Sequence, residues 1–332
     1  MGVRKRVLSG HRPTGFLHLG HLVGALSNWT QMQDEFECFY AIVDWHALTT
    51  AYTDTRGMTD FVIHTVADWV AAGLDPQRCT MFVQSDVKEH AEMHLLLSMV
   101  TPLPWLERVP SYKELKTQLE DRDLNTYGFL GYPVLQAADI VLYRADLVPV
   151  GEDQLPHVEL TREIVRRFNS LYGDVLHEPA ARTTRTPRLP GTDGRKMSKS
   201  YNNTLQLSDP PETLHAKIAK MMTDPARARR TDPGNPDVCP AFAIHKCFTP
   251  AERLVAIDAG CRSAALGCVD CKKELAGNVV ERLGPLQERR GALLRKPEDL
   301  KEILRIGAMR AREVASETLD AARSAIGLGE HA

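Results

Sequence analysis

Two stretches of the 332-residue chain carry side chains suited to a polyphosphate. In the first, Ser9-Gly10-His11-Arg12-Pro13-Thr14-Gly15 forms a turn. His18-Leu19-Gly20-His21 then leads into an apolar helical pattern, Leu22 to Trp29. Pro13 and the flanking glycines favour a tight reversal. Two imidazoles three residues apart share a helical face. A helix start adds free N–H groups and the positive end of its dipole. His18 and His21 are thus candidate donors to phosphate oxygens, able to stabilise charge that grows in a transition state. Gly20 leaves room for a nucleotide against the backbone. Taken alone, the same residues also suit a turn with two surface histidines.

The second stretch is the loop Gly191-Thr192-Asp193-Gly194-Arg195-Lys196-Met197-Ser198-Lys199-Ser200. Two ammonium groups on a closing loop can hold a leaving pyrophosphate more tightly in the transition state than in the ground state. Ser198 and Ser200 add hydroxyl donors. A solvated charged loop is the alternative. A third feature is Asp139, set among Val134, Leu135, Ala138 and Val141 on an apolar helical pattern. A carboxylate there needs hydrogen-bond donors. An indole N–H, a donor with no acceptor capacity, would suit it, and so would a neighbouring arginine such as Arg144.

The elements that must position these residues read as an α/β protein. Apolar runs at Val7-Leu8, Cys38–Val43 and Met81–Val83 predict strands, each followed by polar residues such as Asp44 and Gln84. Between the last two, Met58, Phe61, Val62, Thr65, Val66, Trp69 and Val70 recur at helical spacing. Strand, helix, strand predicts a parallel sheet with helices on its faces and ligands beyond the strands' carboxyl ends. After about residue 207 strand signals fade. Leu300 to Thr318 form one stripe of a long helix ended near Gly327. The expected organisation is a Rossmann-like parallel-sheet catalytic domain over 1–206, with a helical insertion at about 88–150, and a helical domain over 207–332.

Composition sets limits. A formal net charge of -2 gives no global basic field, so any RNA contact must be local. The basic N-terminus lacks a following apolar core, and no stretch has the length of a membrane span, so a cytoplasmic protein with no membrane partner is expected. Five of the seven cysteines lie between Cys239 and Cys271. Cys239, Cys261, Cys268 and Cys271 form C-x21-C-x6-C-x2-C, a set that could hold Zn²⁺ or a [4Fe–4S] cluster. Cys247 is spare, either a small core residue or a substitute for Cys239. Arg227, Arg229 and Arg230 nearby could meet tRNA phosphates or form a solvated loop.

H-L-G-H followed by K-M-S-K-S resembles the paired signatures of class I aminoacyl-tRNA synthetases, with Leu19 where isoleucine is usual. Tyr132-Pro133-Val134-Leu135-Gln136-Ala137-Ala138-Asp139-Ile140, with Val43-Asp44-Trp45-His46-Ala47 and Pro149-Val150-Gly151-Glu152-Asp153-Gln154, looks like the tryptophanyl-tRNA synthetase branch. The likeness runs from Val7 to about Leu328. It implies ATP, Mg²⁺, L-tryptophan and tRNA(Trp) as partners, and a homodimer joined somewhere within 88–150. It also implies catalytic roles for His18, His21, Lys196 and Lys199. Asp139 would read the indole N–H, beside Gln136 (where many relatives have Met) and His46, while Tyr132 and Gln154 hold the α-amino group. Arg12, Pro13, Thr14, Gly20, Gly151, Glu152, Asp153, Leu189 and Met197 would border ATP, with Lys113 an extra phosphate contact. A subset of the bacterial enzymes carries a [4Fe–4S] cluster on a layout similar to these four cysteines, close to where the anticodon would bind. Tyrosine as substrate, or a nucleotidyl transfer without tRNA, are the competing readings.

Overall fold

The computed structural model describes residues 4–109, 124–183 and 189–329. Five strands form one sheet: β1 (Arg6–His11), β2 (Glu37–Ile42), β3 (Cys79–Val83), β4 (Leu147–Val150) and β5 (Ala180–Thr183). All pair in parallel, in the order β3-β2-β1-β4-β5. Such a sheet is covered on both faces, so its central strands are apolar throughout. Cys38 to Ile42 of β2 are all buried. The chain reverses its direction of travel across the sheet at the β1/β4 boundary. A crevice for ligand opens there, beyond the strands' carboxyl ends.

The main helices of the N-terminal half are α1 (Leu19–His21), continued by a π turn (Leu22–Leu26) into α2 (Ser27–Glu35), then α3 (Asp44–Ala51) and α4 (Met58–Ala72). They are followed by α5 (Glu89–Val100), α6 (Leu103–Glu107), α7 (Tyr127–Leu142) and α8 (Leu155–Tyr172). Then come α9 (Pro211–Ala219), α10 (Pro240–Phe248), α11 (Ala251–Arg262), α12 (Cys268–Leu294) and α13 (Pro297–Ala325). One core lies between the sheet and α2, α4 and α12, around Trp29, Tyr40, Trp69 and Leu283. The other lies between the opposite face and α5, α7 and α8, around Phe39, Phe82, Tyr143 and Phe168.

Two expectations need correction. The region expected as a helical insertion holds α5, α6 and α7 but also β4, a sheet strand beside β1. Its brevity and Pro149 hid it. The region expected as a separate helical domain sends its last helix back to the sheet. Leu300 and Leu304 of α13 enter the first core, whereas Ala308, Ala311, Ala315, Leu319 and Ala322 enter the second. The helix therefore passes along the outer edge of β3 and covers it, which shields an otherwise exposed row of strand groups. Gly307 makes the crossing possible. A Cβ there would stand 1.7 Å from the Met81 carbonyl oxygen. We expect Gly307→Ala to force helix and strand apart at a cost of about 1–3 kcal/mol. Thermal unfolding should show a lowered Tm, and an unchanged Tm would contradict this packing.

Candidate active site and cysteine site

The histidine turn follows β1. His18 is extended and caps α1: the Gly20 N–H donates to His18 Nδ1 (3.2 Å), and the His18 N–H donates to His21 Nδ1 (3.1 Å). Both Nδ1 atoms act as acceptors, so each neutral ring carries its proton on Nε2. Burial, then the nearby Lys199, brings His18 down to about 4. Burial, then His11 and His18, puts His21 well below the imidazole range. At neutral pH these are uncharged donors rather than cations. His11, at the end of β1, meets His21 edge-on at 4.8 Å, and its Nε2 is buried with no partner among the described residues.

The lysine loop is fastened to this turn. Leu19 N–H donates to the Leu205 carbonyl and Leu207 N–H to that of Leu17, with His18 bridging Gln206. The Lys199 ammonium donates to the Gly15 carbonyl at 2.6 Å. Gly15 has φ +138, and a Cβ there would meet the Lys199 side chain at 3.2 Å, so glycine is what the turn requires. Burial, then Arg12, lowers Lys199 to about 8. Asn203, which the sequence reading passed over, organises the loop. Its amide donates to Asp193 (2.7 Å) and to the Lys196 carbonyl (3.1 Å), and its oxygen accepts from the Ser198 N–H (2.8 Å). Leu189 and Met197 are buried and joined by a backbone bond. Lys196 is exposed, 3.7 Å from Asp153, which stands with Glu152 and Gln154 on the turn after β4. The loop thus reaches across the crevice from the β1 side to the β4 side. The Ser200 side chain and Lys113 lie outside the described residues.

Beside the crevice, Asp139 of α7 is 4% exposed. It accepts from His46 Nε2 (2.8 Å), from Gln84 Nε2 (2.8 and 3.0 Å) and from His90 Nδ1 (2.7 Å). Burial alone would raise its carboxyl, but His46 and His90 hold it well below the usual carboxylate range. Arg144 is not its partner: that guanidinium donates to the Val175 carbonyl. On the same helix, Gln136 accepts from His157 Nδ1 (2.8 Å), whose Nε2 meets the Tyr132 hydroxyl (3.2 Å). Gln84 stands where a polar residue ends a strand. His90 and His157 were missed. Each is a lone imidazole on an apolar helix face, a pattern shared with ordinary core histidines.

Cys239, Cys261, Cys268 and Cys271 line one enclosed cavity, walled by Phe242, Ile257 and Leu266. Cys247 is elsewhere, against the Ala243 carbonyl. Arg227, which the sequence left as either a tRNA phosphate contact or part of a solvated loop, is turned inward: its guanidinium donates to Cys261 Sγ (3.8 Å) and to the carbonyls of Arg230 and Leu266. Among the described residues no three His, Cys, Asp or Glu side chains are grouped as ligands of one metal ion. Among the described residues no helix is long and apolar enough to cross a membrane.

Residues 2–284 match the model of the family described as tRNA synthetases class I (W and Y). The chain belongs to that family. It is 52% identical over 325 residues to the tryptophan–tRNA ligase of Thermotoga maritima, covering 97% of this chain and 99% of that one. The ligase of Aquifex aeolicus is 43% identical over 97% of this chain and its own full length. Among solved structures, the Campylobacter jejuni tryptophanyl-tRNA synthetase complexed with ADP and tryptophan superposes with a TM-score of 0.88 at 35% identity, covering 97% of this chain and 100% of that one. Lys199, half-buried and docked on the Gly15 carbonyl, sets a pH limit on this site. Its ammonium form is lost above about pH 8, not near 10.5. Hence kcat/KM for ATP, which reports the free enzyme, should fall about tenfold per pH unit above that point. A level profile to about pH 9.5 would contradict the seating of Lys199.

Proposed function

We propose that this chain activates L-tryptophan with ATP in the crevice between β1 and β4 and transfers it to the 3′-terminal ribose of tRNA(Trp). The activity is that of a tryptophan–tRNA ligase, as in near-full-length relatives at 52% and 43% identity. Asp139 carries the substrate reading. It is a buried carboxylate, kept charged by its partners, one of which is His46 of α3. An indole N–H can donate to it, and the donor pays least desolvation where an acceptor is already held in place. Tyr132 and Gln154 hold the α-amino group, with Gln136 and His46 beside the ring.

The tryptophan carboxylate oxygen bonds to the α-phosphorus of ATP, and the bond from that phosphorus to the bridging oxygen breaks. Pyrophosphate leaves with its Mg²⁺. The protein positions and neutralises rather than forming covalent bonds. His18 and His21 donate Nε2–H groups to phosphate oxygens. Lys196 and Lys199 take up the charge of the leaving group. Arg12, Pro13, Thr14 and Gly20 on one side, and Gly151, Glu152, Asp153 and Leu189 on the other, enclose the nucleotide. The ribose hydroxyl of tRNA then attacks the adenylate carbonyl and AMP leaves. A cytoplasmic setting suits these substrates.

Two further assignments belong to this reading. Leu95, Met99, Leu103 and Tyr127, all more than half exposed, crowd α5, α6 and the start of α7. Apolar exposure of this kind marks an interface, and we assign it to a homodimer. Cys239, Cys261, Cys268 and Cys271 are assigned as ligands of a [4Fe–4S] cluster. The fit rests on four thiols facing one apolar, enclosed space, with Arg227 supplying positive charge at Cys261. When bound, the cluster supplies a cross-link among α10, α11 and α12 and takes no part in the adenylate step. Arg229 and Arg230 remain the candidate tRNA phosphate contacts nearby.

Asp139→Ala should abolish tryptophan-dependent ATP–pyrophosphate exchange while ATP still binds. An unchanged kcat/KM for tryptophan would refute the substrate assignment. Anaerobically purified protein should be brown and carry iron and sulfide, with Cys268→Ser losing both. Colourless protein with stoichiometric zinc would refute the cluster.

A further inference from the structure

The Asp139 carboxylate already has donors on both oxygens. His90 and Gln84 meet Oδ1, and His46 and Gln84 meet Oδ2. These donors differ in how they are held. Gln84 and His90 are fully buried. Gln84 sits on the 3-10 turn (Gln84–Asp86) at the end of β3, a turn tied to the start of α3 because Asp44 accepts from the Ser85 N–H at 3.1 Å. His90 lies in the first turn of α5, on the face of Met93 and Leu97 that enters the core. Its Nε2 is 2.7 Å from the Tyr143 hydroxyl. A carboxylate only accepts, so His90 Nδ1 carries a proton, and Tyr143 completes the ring's second partnership. Tyr143 itself is buried and stacked on Phe39 at 4.7 Å. His46, on α3, is buried as well, at 8% exposed against 0% for Gln84 and His90.

We propose that Gln84 and His90, with Tyr143 behind His90, are positioning residues that hold Asp139 aimed and ionised, while His46 is the donor that gives way to the indole N–H. This rests on the reading of Asp139 as the tryptophan acceptor. A buried carboxylate stripped of its donors favours the neutral acid, which offers the indole a poorer acceptor. The fixed pair keeps two donors in place throughout binding, so the exchange of His46 for substrate leaves the charge count of hydrogen bonds unchanged. Other groups that act on this centre are His94 of α5 on Asp139, Glu89 on Tyr143, and His157 of α8 on His46. None of them bonds the carboxylate directly.

Three variants test the assignment. His90→Asn keeps a donor near the Nδ1 position, His90→Leu removes it, and Tyr143→Phe removes only the hydroxyl behind it. We expect KM for tryptophan to rise in the order wild type, His90→Asn, His90→Leu, by at least about tenfold in the last. KM for ATP should stay within about twofold. In His90→Leu, kcat/KM for tryptophan should gain an acid limb, falling below about pH 6 where the wild type stays level, because the carboxyl now protonates. A structural defect alone would lower Tm without adding that limb. If His90→Leu fails to fold, His90→Asn and Tyr143→Phe decide, each with a smaller rise in KM for tryptophan. Folded variants with unchanged KM and an unchanged pH profile would overturn the proposal. Asp139→Asn separates the two levels. If it is impaired and the His90 and Tyr143 variants are not, only the positioning role fails. If it behaves as wild type, the acceptor role of Asp139 fails first.

Discussion

A carboxylate taken out of water must be surrounded by donors, and that requirement shapes the substrate side of this molecule. Asp139 draws together α3, α5, α7 and the turn after β3, because each contributes or supports one of its partners. The turn and α5 are neighbours in the chain, but α3 and α7 are distant from them and from each other. Removing one partner from such a group leaves a charge uncompensated, which is far more damaging than never having built the site. The same donors that satisfy Asp139 fix the orientation of its oxygens. On the proposed reading, stability and recognition rest on one set of bonds.

The nucleotide side follows a different rule. There the parts are fastened by backbone bonds between residues 17–19 and 205–207, so the lysine loop and the histidine turn move as joined pieces. The histidines are neutral because they are buried and because cations stand nearby. The positive charge sits on Lys199, docked on the turn, on Lys196, exposed beside Asp153, and on Arg12. In the proposed mechanism neutral donors hold the phosphate without adding charge to the ground state, and the lysines respond to the charge that develops as pyrophosphate departs.

Much of this was legible in the sequence. Strands β1 to β3 announced themselves as apolar runs, and α4 and α13 by their periodicity. His18, His21, Lys196, Lys199 and Asp139 stood out because polar groups at turns or on apolar faces demand a reason. Strand β4 was hidden by its four-residue length and internal proline. The route of α13 was hidden because an amphipathic stripe names no partner. Gln84 was visible as a strand-end residue without a role. His90 and His157 were invisible because each acts through a partner on another helix, and Asn203 because its bonds form only when the lysine loop folds back on it. Arg227 read equally as an RNA contact or as part of a solvated loop, and the fold turns it towards Cys261 instead.

The most direct test is a crystal structure with L-tryptophan bound. The indole nitrogen should lie about 2.9 Å from an Asp139 carboxylate oxygen, with His46 moved off that oxygen and Gln84 and His90 still bonded. An indole nitrogen paired elsewhere, with His46 still on Asp139, would contradict the account.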